Sequence, residues 1–307
     1  MVNVQVDVKK RGIWRYYRYF PKIEEKFYLS LGEGSTPNQK VEGIYFKRED
    51  FNPTGSFKDR GLSYQISKAN EQGINKLVIS SSGNAAISAA AYCQLAKISL
   101  KTFVSSKINP SKIEEIKKFG SEVIISQRPL SDSIKFSKQN SYPNLRPSGD
   151  PLGTEGYKTI AFELFQEIGQ IDDIFLPVSS ATALIGIYQG FKILDFLPRV
   201  HACQSTKVFP IAAKFDNSFQ KTSDSLATAL IAKVTPRKNE ALEVINQSRG
   251  FGWVIADKEI LEAQRWLEAR KIITSAEGAL ALAAIWKAQR KGFYLGKTVC
   301  LLTGKRY

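Results

Sequence analysis

Short aliphatic or β-branched runs recur along this chain with helix-patterned stretches between them, an order that few architectures accept. In the first half the runs Lys76–Ser80, Ser99–Val104 and Glu122–Ile125 are separated by Ala85–Ala96 and Pro110–Phe119. Strands that alternate with helices lie parallel, so this βαβαβ series predicts a parallel sheet. A second series follows: Ile174–Val178 as a strand, Thr182–Asp195 as a helix, Gly252–Ile255 as a strand, two helices within Lys258–Arg290, and Thr298–Leu302 as a last strand. Between the two series Gln127–Pro151 turns polar and carries Pro129, Pro143, Pro147 and Pro151, after which Glu155–Glu167 resumes helical spacing. A domain crossover is expected there. The fold expected is α/β with two doubly wound parallel-sheet domains.

Composition narrows the function classes. At 307 residues, 43% hydrophobic and 24% charged, the chain can bury a full core. No apolar run approaches the roughly 20 residues that span a bilayer. Met1–Gly12 alternates valine with polar residues instead of forming a signal core, so a cytoplasmic location is expected. Cys93, Cys203 and Cys300 are far apart and form no CxxC pair, and His201 is the single histidine. A Cys/His metal site or a Ser-His-Asp triad lacks the parts, and no metal is expected.

A net charge of +15, with Arg11–Phe20 interleaving arginine and aromatic residues, allows a reading as a single-strand nucleic-acid binder. The competing reading is a set of solvated helix faces, as in Lys112–Lys118, where basic residues alternate with carboxylates. A positive field also attracts anionic substrates or a phosphorylated cofactor.

In an open parallel sheet, ligands sit beyond the carboxyl ends of the strands, where turns present backbone N–H groups. Three turns stand out. Ser80–Asn84 leads from a strand into the helix at Ala85, and its small residues can face an anion or simply cap the helix. Val178–Thr182 offers amides and hydroxyls to a phosphate. Leu302–Gly304 places a hydroxyl directly after the last strand.

Asn52–Gly61 reads Asn-Pro-Thr-Gly-Ser-Phe-Lys-Asp-Arg-Gly and sets Lys58 in the first turn of a helix beginning near Ser56. A lysine is unfavourable at the positive end of a helix dipole. Either it is solvated beside Asp59 and Arg60, or its amine is held neutral as a nucleophile and base.

Leu31–Pro37, Asn52–Gly61 and Ser81–Asn84 together resemble the threonine synthase family of fold-type II pyridoxal-phosphate enzymes, and Trp14–Tyr16, Glu155–Thr159, Ala276–Ala279 and Leu301–Gly304 continue the likeness in order. The resemblance implies pyridoxal 5'-phosphate as cofactor, a larger cofactor-binding domain formed by residues 1–62 and 148–307, a smaller α/β domain of residues 63–147, an active site in the interdomain cleft and a homodimer. It implies Lys58 as the Schiff-base lysine. Asn84 is implied on the cofactor's phenolic oxygen, Ser179, Ser180, Ala181 and Thr182 on its phosphate, and Thr303 at its pyridine nitrogen. Ser81, Ser82 and Gly83, with Thr54 and Ser56, are implied in binding a small amino-acid substrate.

The chain departs from the family where a phosphorylated side chain is gripped. Aligned on Pro151 and Glu155–Thr159, the family's asparagine is Asp150 and its arginine is Gly153, so a bidentate donor is lost and a negative charge gained. The cofactor-phosphate turn, usually glycine-rich, is Ser-Ser-Ala-Thr, and the terminal Leu-Thr-Gly-His-Gly becomes Leu-Thr-Gly-Lys-Arg. The expected activity is β- or γ-elimination or replacement on a small amino acid. The alternatives are threonine or serine dehydratase chemistry and cofactor binding with little turnover, with phosphohomoserine disfavoured as substrate.

Overall fold

The computed structural model describes residues 4–146, 148–232 and 235–307; Pro147 of the expected crossover and Met1–Asn3 of the amino-terminal reading lie outside them. The chain forms two compact units, one built on Ser35–Phe51 and Tyr157–Arg306, the other on Gln5–Gly34 and Asn52–Gly156 with Tyr307. Elements are numbered in chain order.

In the smaller unit β3 (Lys76–Ser80), β4 (Ser99–Ser105) and β5 (Glu122–Ser126) form a parallel sheet in that order, connected by α2 (Asn84–Ala96) and α3 (Pro110–Lys118). α1 (Lys58–Glu71) packs along α2. Leu62 and Ile66 of α1, Ile87 and Tyr92 of α2, and Leu77, Leu100 and Val104 of the sheet fill one apolar core. Ala86, Ala89 and Ala90 let α2 lie close to its neighbours.

The polar stretch expected as a crossover contains a helix, α4 (Pro129–Asn140). Proline at its first turn gives up no intrahelical bond, which is why the residue that reads as a breaker starts the helix. Beyond α4, Val78 N donates to Pro143 O at 3.0 Å and Leu145 N to Val78 O at 2.7 Å, so residues 143–145 run beside β3.

The compact units also differ from the expected boundaries, because 5–34, 52–62 and 148–156, with Tyr307, belong to the smaller one. Trp14 stacks on Tyr28 at 3.9 Å and lies 5.9 Å from Tyr64 of α1, while Leu29 exchanges hydrogen bonds with Ser63 and Ser67 of the same helix. Gly34 N donates to Asn52 Oδ1 at 2.9 Å.

The larger unit carries a six-stranded sheet in the order β1 (Asn38–Val41), β2 (Ile44–Arg48), β9 (Thr298–Leu302), β6 (Asp173–Pro177), β7 (Arg199–Ser205) and β8 (Gly252–Ile255). All neighbours are parallel except β1, an antiparallel edge joined to β2 through Glu42 and Gly43, both at positive φ. α5 (Lys158–Ile168), α6 (Thr182–Ile193), α7 (Lys238–Gln247) and α8 (Asp257–Ala269) accompany the sheet, and the alanine-rich α9 (Ala276–Arg290) packs on β6, β8 and β9.

The sheet interior is not wholly apolar. His201 stacks on Phe175 at 4.1 Å and accepts from Trp253 Nε1 at its Nδ1, so Nε2 carries the proton and donates to Asp173 Oδ1 at 3.0 Å. Burial lowers the His201 pKa and keeps the ring neutral. Lys47, fully buried on β2, pairs with Glu163 at 2.9 Å and donates to Thr36 O at 2.7 Å.

Gly190 of α6 is required by the crossing with α5, since a Cβ there would lie 2.6 Å from Lys158 O and 2.8 Å from Ala161 Cβ. Gly190→Ala is therefore expected to destabilise the protein by about 1–3 kcal/mol. Urea denaturation measures this, and an unchanged midpoint would refute the close approach.

Candidate functional site

In the smaller unit the decapeptide is folded by its own polar groups. Thr54 donates both its backbone N–H, at 2.7 Å, and its hydroxyl, at 2.6 Å, to the Asp59 carboxylate, and Gly55 N donates to Asn52 O at 2.7 Å. The buried carboxylate sits in the first turn of α1, where the helix dipole favours negative charge. Desolvation nevertheless raises the Asp59 pKa to about 6, with the Thr54 hydrogen bonds opposing the rise.

These contacts set Lys58 as the first residue of α1. Its side chain is half-buried, with Nζ 4.5 Å from the centroid of the Phe57 ring. Desolvation lowers its pKa to about 8, into the range where an amine can serve as nucleophile and base.

The turn after β3 opens α2. Ser81 N donates to Phe103 O at 3.2 Å, and Ser82 Oγ accepts from Ser105 N at 2.7 Å, so the turn is fastened to β4. Ser81 Oγ accepts from Gly83 N at 3.3 Å, and a Cβ on Gly83 would meet nothing within 4 Å. A 13-residue helix beginning at such an open turn presents its positive end to an anion. Asn84 Oδ1, at the start of α2, and Ser56 Oγ are buried without a hydrogen-bond partner. Buried polar atoms in that condition are costly unless a ligand or water completes them.

In the larger unit two turns leave adjacent parallel strands at the same edge, because β6 and β9 pair through Ile174↔Val299 and Phe175↔Cys300. The turn after β6 holds Ser179–Thr182. Ser180 Oγ lies 3.1 Å from Thr182 Oγ1, and Ala181 adopts the left-handed conformation, φ 66°, at the start of the 12-residue α6. A glycine would be free at that position; alanine carries a cost of about 1–2 kcal/mol. The turn after β9 holds Thr303, which is buried, and Gly304 O accepts from Thr274 Oγ1 at 3.1 Å and Ser275 N at 3.0 Å, fixing it to the start of α9.

Thus Lys58, Thr54, Ser56, Ser81, Ser82, Gly83 and Asn84 lie in the smaller unit, and Ser179, Ser180, Ala181, Thr182 and Thr303 share one sheet edge in the larger. The two family departures are placed as well. Asp150 accepts from Gln65 Nε2 of α1 at 2.6 Å and from Leu152 N at 2.9 Å, and Gly153 N donates to Asp150 O at 3.0 Å. Within Arg11–Phe20 the aromatic Trp14 is 2% exposed and its Nε1 donates to Leu29 O, while Arg11 and Arg18 are exposed and Arg11 donates to Leu31 O.

Asp59 organises the Lys58 turn, and its spacing from Thr54 is the signal for it in the sequence. Gln204 and Thr235 carried no local signal. They hold the Ser179–Thr182 turn from 26 and 55 positions away.

In the smaller unit an orphaned buried amide oxygen at an open helix start and a desolvated amine suit a ligand with an aldehyde and a polar ring, and in the larger unit a hydroxyl-bearing turn at a helix N-terminus suits a phosphate. Comparison with known proteins gives the same cofactor. Residues 29–304 match the family model described as pyridoxal-phosphate dependent enzyme. Threonine synthase of Methanocaldococcus jannaschii is 31% identical over 95% of this chain and 80% of its own length, and that of Synechocystis is 33% identical over 96% and 82%. Among solved structures, a pyridoxal 5'-phosphate-dependent aspartate racemase superposes with TM-score 0.77 at 23% identity, covering 100% of this chain and 98% of its own. Threonine deaminase isoform 2 from Solanum lycopersicum superposes with TM-score 0.74 at 19% identity, covering 89% and 79%. These two share the fold.

The Lys58 amine yields a stability prediction. Its folded pKa lies below the unfolded value of 10.5, so the desolvation penalty is full below pH 8 and vanishes as pH rises through 8 to 10.5. In cofactor-free protein Lys58→Met is expected to be more stable at pH 7 by about 1–3 kcal/mol, allowing for partial solvent screening, with the gap closing toward pH 10.5. Thermal melts across that range measure it, and a variant less stable at pH 7 would contradict a desolvated amine.

Proposed function

The chain belongs to the pyridoxal-phosphate dependent enzyme family, and from that premise we propose that Lys58 Nζ carries the cofactor and moves the substrate's Cα proton. The observation that supports this most is the desolvated Lys58 amine at the start of α1, close to half neutral near pH 8. The activity is that of a pyridoxal-phosphate-dependent carbon–oxygen lyase of the threonine synthase kind, acting on an amino acid.

When bound, the cofactor supplies a sink for the electrons left when a bond at Cα breaks. The chain's own groups do the rest. Asn84, at the start of α2, would offer its side-chain amide N–H to the ring's phenolic oxygen. Ser179, Ser180, Ala181 and Thr182 take the phosphate at the start of α6. Thr303 would offer the ring nitrogen a hydroxyl rather than a carboxylate, a partner that does not require a protonated ring and suits elimination over transamination. Ser81, Ser82 and Gly83 take the substrate carboxylate at the N-terminus of α2, with Thr54 and Ser56 alongside.

Within this chemistry the proposed substrate has an unphosphorylated side chain, as in threonine or serine dehydration. The Asp150 carboxylate, held by Gln65 and Leu152 N, brings negative charge to a segment that in the resembled family grips phosphate, and Gly153 offers no side-chain donor. The working form we propose is a cytoplasmic homodimer. The test compares 2-oxoacid release from threonine and serine with threonine formation from O-phosphohomoserine. Release at least ten-fold faster than threonine formation is the expected result, and efficient threonine formation would overturn the substrate assignment.

A further inference from the structure

The turn Ser179–Thr182 is held from behind by side chains remote in sequence. Gln204 Nε2, near the end of β7, donates to Val178 O at 3.0 Å. Thr235 Oγ1 donates to Ser180 O at 2.8 Å. Ala232 N donates to Ser179 Oγ at 3.3 Å.

The two clamping side chains are themselves fixed. Gln204 is fully buried, and its Oε1 accepts from Ile211 N at 2.9 Å and Ala212 N at 2.8 Å, which determines the amide's orientation. Thr235 is 5% exposed, and its Oγ1 accepts from Arg237 N at 3.4 Å.

A trans peptide is planar, so its N–H points away from the carbonyl of the same unit. Fixing Val178 O therefore fixes the direction of the Ser179 N–H, and fixing Ser180 O fixes that of the Ala181 N–H. Both amides face away from their clamps. Ala181 sits between these constraints at φ 66°, where alanine does not stay without surroundings that over-determine it.

We propose that Gln204 and Thr235 are positioning residues for the cofactor phosphate: by pinning the Val178 and Ser180 carbonyls they hold the Ser179 and Ala181 N–H groups as phosphate donors, a task that does not require glycine in the turn. This rests on the assignment of Ser179–Thr182 to the phosphate. An anion-binding turn gains most when its donors are fixed before the ligand arrives, since no ordering cost is then left to binding.

The experiment titrates cofactor-free full-length protein with pyridoxal 5'-phosphate and with pyridoxal, which has the same ring and aldehyde but no phosphate. Thr235→Val is expected to weaken pyridoxal 5'-phosphate binding roughly ten-fold while changing pyridoxal binding less than about two-fold, and Thr235→Ser to restore the wild-type ratio. Thr235→Ala, which removes the same hydroxyl with less bulk, carries the same expectation should the valine variant not fold. Equal weakening of both ligands would reveal a merely structural role, and no weakening of either would leave Thr235 without one; both overturn the proposal. The parent assignment fails separately, if Ser180→Ala with Thr182→Val leaves the wild-type preference for the phosphorylated ligand intact. A ratio that falls in that double variant but not in Thr235→Val sinks the positioning role alone.

Discussion

Because β2, β9, β6, β7 and β8 run parallel, each is entered by a connection that returns from the opposite edge, and every turn that follows a strand emerges on the same side of the sheet. Ser179–Thr182 and Thr303 become neighbours along that edge although more than a hundred positions separate them in the chain. The smaller sheet obeys the same rule, so Ser81–Asn84 after β3 reaches the end of β4, where Ser82 meets Ser105. Parallel pairing thus places hydroxyls and amides where a helix N-terminus favours anions, before any particular ligand is considered.

Lys58 stands against that trend. Its ammonium would face both desolvation and the positive end of α1, and the turn that keeps it there is held by Asp59 accepting twice from Thr54. A residue held at a cost, in a turn built to hold it, is what a group consumed by covalent chemistry requires. Ala181 shows the same logic in the other unit, with Gln204 and Thr235 maintaining a left-handed alanine.

Much of the fold was legible because apolar runs mark strands: β3, β4, β6, β8 and β9 carry buried runs, and β5 shows the same pattern at the edge of its sheet, where Ile125 is exposed. β7 did not, since Arg199, His201 and Gln204 dilute it, and their burial makes sense only beside Asp173, Trp253 and Val178, which are distant in sequence. β2 was hidden by Lys47, whose charge is matched by Glu163. α4 was hidden by a proline that starts it. The segments bearing the candidate site were legible as short motifs, because each is a local turn. The clamps on the Ser179–Thr182 turn were not, because a hydrogen bond to a carbonyl leaves no trace in the sequence of either partner.

The measurement that bears most directly on the role of Lys58 is reduction of the cofactor-loaded protein with borohydride, followed by digestion and peptide mass spectrometry. Reduction makes a carbon–nitrogen link permanent and reports the lysine that carries it. The expected result is a single modified peptide bearing the reduced cofactor on Lys58. Modification of a different lysine, or none in protein shown to hold the cofactor, would contradict the assignment.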